Sequence, residues 1–151
     1  MTPPARDVAP GAHALPVRVY YEDTDFSGFV YHASYLRFME RGRTEMLRGL
    51  AGDQSELHRD ADGLVFVVRR MTLDYRRPAV MDDLLTVVTA TSELRGASLH
   101  LAQEVRRGGE VLVSAEVVVA CVRGGRAIRL PDSLRRMLSP GTAPQASSTE
   151  P

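Results

Sequence analysis

The chain has 151 residues, 44% of them hydrophobic and 25% charged, with 19 basic and 19 acidic side chains and a formal net charge of zero. That length and composition suit one globular domain, and the balanced charge argues against a general role on nucleic acid or an anionic membrane surface, both of which need surplus cations. Cys121 is the only cysteine, which excludes an intrachain disulfide and a cysteine-built zinc site within one chain.

Residues 1–16 are punctuated by Pro3, Pro4, Pro10 and Pro16 and lack the apolar run of a signal peptide, so they are expected to form a loose tail. In Val17–Glu22, Val17, Val19 and Tyr21 alternate with Arg18, Tyr20 and Glu22, which predicts a short strand. A polar loop, Asp23 to Gly28, comes next. A helix is predicted over about His32 to Leu50, where Tyr35, Phe38, Met39, Gly42, Met46 and Leu50 form one stripe at steps of three and four. On its exposed side Arg41 can pair with Glu45 and Glu40 with Arg43. Gln54–Asp60 reads as a further helical turn.

After Gly63 the texture is that of strands: Leu64–Tyr75, Leu84–Leu94, Leu99–Arg106 and Glu110–Val122, the last two joined by a hairpin at Arg107-Gly108-Gly109. Val111, Val113, Ala115, Val117, Val119 and Cys121 alternate onto one face. Arg126–Arg129 can add a short strand, and Pro131–Leu138 a terminal helical turn. The chain thus divides into a tail (1–16), a folded domain (17–138) and a second tail (139–151). Segregated elements of this kind indicate an α+β fold, one long helix against an antiparallel sheet of five or six strands. A single sheet on one helix leaves edges exposed, so a homodimer or homotetramer is expected. No stretch approaches the ~20 apolar residues of a membrane span, and a cytoplasmic protein without integral membrane contact is expected.

The segment Tyr21 to Tyr35 carries the chemistry. It sets Asp23 and Asp25 on a loop, then Gly28, then the start of the main helix. A helix N-terminus exposes unpaired N–H groups and a partial positive charge, which can hold a carbonyl oxygen turning negative during acyl transfer. A carboxylate beside it can attack the carbonyl carbon or take a proton from water. Gly28 would let the loop approach a ligand. Arg76 and Arg77, at the end of a strand, are suited to phosphate.

The run Asp23-Thr24-Asp25-x-x-Gly28-x-Val30-Tyr31-His32-x-x-Tyr35 resembles the signature of the YbgC and 4-hydroxybenzoyl-CoA thioesterase group of hotdog enzymes. Glu40 to Leu47, Asp74 to Ala79 and Arg126 to Pro131 also resemble the YbgC pattern, so the likeness spans about Val17 to Leu138. It implies a sheet wrapped around a central helix, active sites at a dimer interface, and hydrolysis of an acyl-CoA to free acid and coenzyme A with no metal or cofactor. By this resemblance Asp25 is the catalytic carboxylate, the backbone amide near Tyr31 and His32 polarises the thioester, and His32 orients substrate or water. Gly28, Val30 and Tyr35 would contact substrate, and Arg76 and Arg77 the coenzyme A phosphates. Whether Asp25 is nucleophile or general base stays open. YbgC-like proteins are associated with cell-envelope and phospholipid-synthesis proteins, which implies such partners here.

Blander readings stand beside these. Asp23 and Asp25 are common turn-formers, Tyr31 and Tyr35 can be packing residues, and Glu40 is a rival carboxylate. His32 with Glu40 could imitate the His–carboxylate pair of a hotdog hydratase or dehydratase, and a non-catalytic acyl-CoA-binding scaffold is the third possibility.

Overall fold

A computed structural model describes residues 9, 11–51 and 62–141. The helical turn expected at Gln54–Asp60 lies outside the described residues, as does most of each expected tail. In chain order the elements are β1 (His13–Arg18), a 3-10 turn (Tyr21–Asp23), α1 (Ser34–Ala51), β2 (Leu64–Tyr75), β3 (Leu84–Leu94), β4 (Ser98–Arg107), β5 (Glu110–Arg123), β6 (Arg126–Ala127) and α2 (Asp132–Leu138). The strands form one antiparallel sheet in the order β1-β3-β4-β5-β2, with β6 paired to β5. With α1 packed on one face of that sheet, this is the hotdog arrangement.

Period-2 alternation on β5 and the 3.6-residue stripe on α1 meet in one core. Tyr35, Phe38, Met39, Met46 and Leu50 from the helix are buried with Val87, Leu101, Val105, Val113 and Val117 from the sheet. Gly42 is what permits the approach. A Cβ there would lie 2.7 Å from Val87 Cγ1 and 2.9 Å from Thr89 Oγ1. Beneath it the buried Gln103 donates to the Met39 carbonyl (2.9 Å) and to Thr89 Oγ1 (2.8 Å), while its own oxygen accepts from Arg43 (3.0 Å). A buried amide satisfied on both sides ties helix to sheet at one register.

Four sequence expectations are corrected. The first strand is His13–Arg18, not Val17–Glu22, so it takes in His13–Pro16 from the expected tail. Val17 and Val19 are buried as the alternation implies, but the chain leaves the sheet and turns at Tyr21, which is exposed. Pro16 is tolerated because β1 is an edge strand. Val111 leaves the β5 inner face because the ladder shifts between Val105↔Val113 and Arg106↔Val111, so that Leu112 is buried instead. On α1, Glu45 pairs with Arg48 (2.8 Å), not Arg41, while Arg43 turns its hydrogen bond inward to Gln103 and keeps an electrostatic interaction with Glu40. The expected strand at Arg126–Arg129 shrinks to Arg126–Ala127.

Candidate active site

The loop ahead of α1 is closed by backbone bonds. Buried Asp23 accepts the Tyr20 amide through its carboxylate (2.9 Å), and its carbonyl accepts the Tyr31 amide (2.8 Å) and the Ser34 hydroxyl (3.0 Å). Asp23 thus joins the entry and exit of the loop. Bridges Thr24↔Val30 and Phe29↔Val80 continue the closure. At the tip, Asp25 donates its amide to the Phe29 carbonyl (3.1 Å), and Gly28 donates to the Asp25 carbonyl (3.0 Å). Gly28 has φ +88°, and a Cβ there would meet nothing within 4 Å. Within this chain the glycine serves the left-handed turn rather than a close approach.

The Asp25 carboxylate is exposed. It accepts from the Ser27 hydroxyl and from the Ser27 amide (2.8 Å). Those two bonds, hydroxyl first, hold its pKa below the usual carboxylate value, and attraction to His32 lowers it further. Asp25 is therefore an ionised carboxylate within electrostatic reach of the helix start.

The helix start leaves the His32 amide open. The Tyr31 amide is spent on Asp23, and the Tyr31 carbonyl accepts the Ser34 amide (2.8 Å). Among the described residues no acceptor meets the amide of His32. The 18-residue α1 carries no acidic side chain in its first turn, so nothing there neutralises the positive end of its dipole. Of the two amides singled out in the sequence, only that of His32 is free to polarise a carbonyl.

Beside this tip is an open cleft of about 260 Å³, lined by Val30, His32, Tyr35, Tyr75, Arg76, Arg77 and Pro78. It gathers Val30, His32, Tyr35, Arg76 and Arg77 from the expected site; Asp25, Gly28 and Tyr31 are not among its walls. Tyr31 lies instead against the His32 ring, with centroids 4.5 Å apart. Tyr35 is buried, and its hydroxyl accepts the Ala79 amide (2.9 Å), so it builds the floor. Arg76 pairs with Asp74 and Arg77 with Glu110, each at 3.2 Å and each well exposed. Such surface pairs are worth ~0–1 kcal/mol, so a phosphate can compete for either guanidinium. Glu40 is exposed, stands outside the cleft walls and interacts electrostatically with Arg43, so the structure does not bring it to His32.

Two larger hollows lie elsewhere. One, of about 410 Å³, lies over β2, β3, β4 and β5; the other, of about 370 Å³, lies between β1 and α1. Neither includes a residue of the first turn of α1. Among the described residues, no group of three or more His, Cys, Asp or Glu side chains is placed to hold a metal ion, and no helix is long and apolar enough to cross a membrane. Tyr75 is a wall of the cleft that the sequence reading passed over. Its signal was the alternation Met71, Leu73, Tyr75 leading into the Arg76-Arg77 pair.

A model of the thioesterase superfamily matches residues 27–114 of this chain; Asp25 lies just ahead of the match. An acyl-CoA thioester hydrolase, YbgC of Escherichia coli, is 50% identical over 108 residues, which cover 71% of this chain and 79% of that protein. The crystal structure of a probable thioesterase from Bartonella henselae is similar at TM-score 0.69 and 43% identity, covering 80% of this chain and 99% of that one. A Thermus thermophilus thioesterase, solved with coenzyme A and zinc, is similar at TM-score 0.72 and 30% identity, covering 83% and 90%.

Proposed function

From the premise that this chain belongs to the thioesterase superfamily and is an acyl-CoA thioester hydrolase, we propose that hydrolysis takes place at the tip of α1, driven by Asp25 and polarised by the His32 amide. The observation that carries this is the pairing, within one loop-to-helix segment, of an ionised carboxylate and an unclaimed N–H at a positive helix end.

In this reading the thioester oxygen accepts from the His32 amide and shares the helix dipole, which stabilises the negative charge that grows as the carbonyl carbon becomes tetrahedral. Asp25 supplies the attack. It either bonds to that carbon, expels the coenzyme A thiolate and leaves an anhydride for water to open, or it takes a proton from the water that attacks. Both routes end in free acid and coenzyme A. Arg76 and Arg77, at the mouth of the cleft, hold phosphates of the coenzyme; the Thermus thermophilus relative was solved with coenzyme A.

A single chain leaves Asp25 beside the cleft rather than inside it, so the site needs a further wall. A second copy supplies it. Strand β2 is an edge of the sheet and exposes Val65, Val67 and Val68 at 52%, 48% and 43%, and Tyr21, Phe26 and Phe29 stand exposed around the acid. An open apolar edge calls for pairing, and closing it would also dry the reaction site.

Asp25→Asn tests the assignment with little change of volume. Hydrolysis across a panel of acyl-CoA chain lengths, read by thiol release, is expected to fall by about 100-fold or more, the usual scale of a lost acid–base or nucleophilic group, while coenzyme A still binds. Full turnover by Asp25→Asn would remove the acid from the mechanism. Single-turnover hydrolysis in oxygen-18 water then separates the two routes, because label enters the Asp25 carboxylate only through the anhydride.

A further inference from the structure

The amide of His32 can polarise a thioester only if the peptide that carries it keeps one orientation. The Tyr31 carbonyl shares that peptide with the His32 N–H, and the His32 carbonyl belongs to the next one, so the bonds to these two oxygens fix the planes on either side of the His32 Cα. The Tyr31 carbonyl is fixed by the Ser34 amide (2.8 Å) inside the first turn of α1. The His32 carbonyl precedes the helix, and the sheet reaches it from the opposite side: the Tyr75 hydroxyl donates to it at 3.0 Å, across 43 residues of sequence. With both planes held, the φ and ψ of His32 have little freedom, and its N–H and imidazole take their directions together.

Tyr75 is well built for holding something else still. It is the last residue of β2, opposite Val113. The next two amides, of Arg76 and Arg77, both donate to the Leu112 carbonyl (2.8 and 3.1 Å), at the point where β5 bulges. The strand end is thereby clamped on its neighbour. The Tyr75 ring meets the His32 ring edge-on at 6.4 Å and the buried Tyr35 ring at 5.8 Å. One face of the residue therefore belongs to the core and the other, 47% exposed overall, to the cleft. Partial burial raises the pKa of its phenol, so the hydroxyl keeps the proton that it donates.

We propose that Tyr75 is a positioning residue for thioester hydrolysis: its hydroxyl, held by the β2–β5 end, fixes the His32–Ala33 peptide and so restricts the His32 backbone, and the free amide at the cleft keeps a single direction. The inference rests on the assignment of the His32 amide to the thioester oxygen made above. A hydroxyl that merely braced the fold would affect stability; one that aims an oxyanion donor affects the transition state more than the bound substrate.

Tyr75→Phe keeps both ring contacts and removes only the hydroxyl. Removing an oxyanion donor outright costs a rate factor of roughly 100–1,000. Releasing the peptide next to the one that carries it should cost less, so kcat is expected to fall about tenfold while KM for acyl-CoA stays within about twofold. Calorimetric binding of coenzyme A and the melting temperature, measured on the same protein, are expected to stay near wild type. A kcat within about twofold of wild type would overturn the inference, as would a loss of kcat that accompanies an equal loss of coenzyme A binding and a lowered melting temperature. Asp25→Asn is assayed in parallel. If it is inactive while Tyr75→Phe turns over normally, only the role of Tyr75 fails. If it retains full turnover, the assignment of the site fails and the inference with it.

Discussion

At the middle of α1, Gly42 brings the backbone against Val87 and Thr89, and the buried Gln103 amide is satisfied by Met39, Thr89 and Arg43. About three turns earlier, at the tip of the same helix, the His32 amide has no acceptor among the described residues, and Phe26, Phe29 and Tyr31 stand uncovered. The two regions share a helix but obey opposite rules. A polar group buried without a partner costs ~1–3 kcal/mol, so an amide buried in the middle, such as that of Gln103, has to find its partners within the protein. The tip can leave a donor open because an exposed N–H is within reach of solvent. The closed middle is also what lets the tip stay open: it fixes the register of α1 on the sheet and so fixes where the unclaimed N–H lies.

The sharpest way to break this contrast is Gly42→Ala. Alanine gains ~1 kcal/mol of helix propensity over glycine, but overpacking costs ~1–3 kcal/mol, and the added methyl would meet Val87, Thr89 and the Gln103 amide at 2.7, 2.9 and 3.2 Å. A net loss of about 1 kcal/mol, the middle of what the two effects leave, is expected in urea unfolding, an equilibrium shift of about fivefold. The kcat of the folded fraction is expected to hold. A variant as stable as wild type would mean that the helix middle yields easily, and would remove the rigid reference from which the tip is positioned.

The middle was readable in the sequence and most of the tip was not, for physical reasons. Tyr35, Phe38, Met39, Gly42, Met46 and Leu50 recur at helical spacing and all are buried; the strands from Leu64 onward show themselves through β-branched residues and glycine turns. Local periodicity fails where the chain leaves a regular element. Alternation from Val17 to Tyr21 runs past the true end of β1, and the bulge at Leu112 displaces Val111, because neither the exit nor the bulge alters the pattern of residue types. At the site, Asp25, Val30, His32 and Tyr35 could be named only through family resemblance; composition supplies a carboxylate near a helix start and no more. The burial of Gln103 against Met39, and the Tyr75 bond to His32, exist only once the sheet meets α1. Contacts between distant segments leave no local trace.

An effect of similar size is expected at the mouth of the cleft. Replacing Arg76 and Arg77 together by alanine removes two cations whose present partners, Asp74 and Glu110, are exposed, and Glu110 keeps Arg107 at 3.0 Å. Stability should change little. If these side chains hold phosphate, KM for acyl-CoA is expected to rise about fivefold to tenfold with kcat nearly unchanged, and the salt dependence of kcat/KM to flatten. An unaltered KM at low salt would confine the arginines to surface ion pairs and leave the phosphates to be held elsewhere.

The smallest change addresses the acid itself. The Ser27 hydroxyl is the largest cause of the lowered Asp25 pKa, followed by the Ser27 amide. Ser27→Ala removes the first and keeps the second, so the pKa of Asp25 moves upward toward the ordinary value. On the proposed mechanism catalysis requires the ionised acid, which is lost as pH falls through that pKa; raising the pKa is therefore expected to move the acid limb of kcat/KM to higher pH. At neutral pH Asp25 remains ionised in both proteins and the rate should not fall. Profiles of kcat/KM against pH, wild type beside Ser27→Ala, read the displacement directly. If the two acid limbs coincide, the group titrating there is not Asp25, and the open end of the helix must draw its carboxylate from another part of the assembled enzyme.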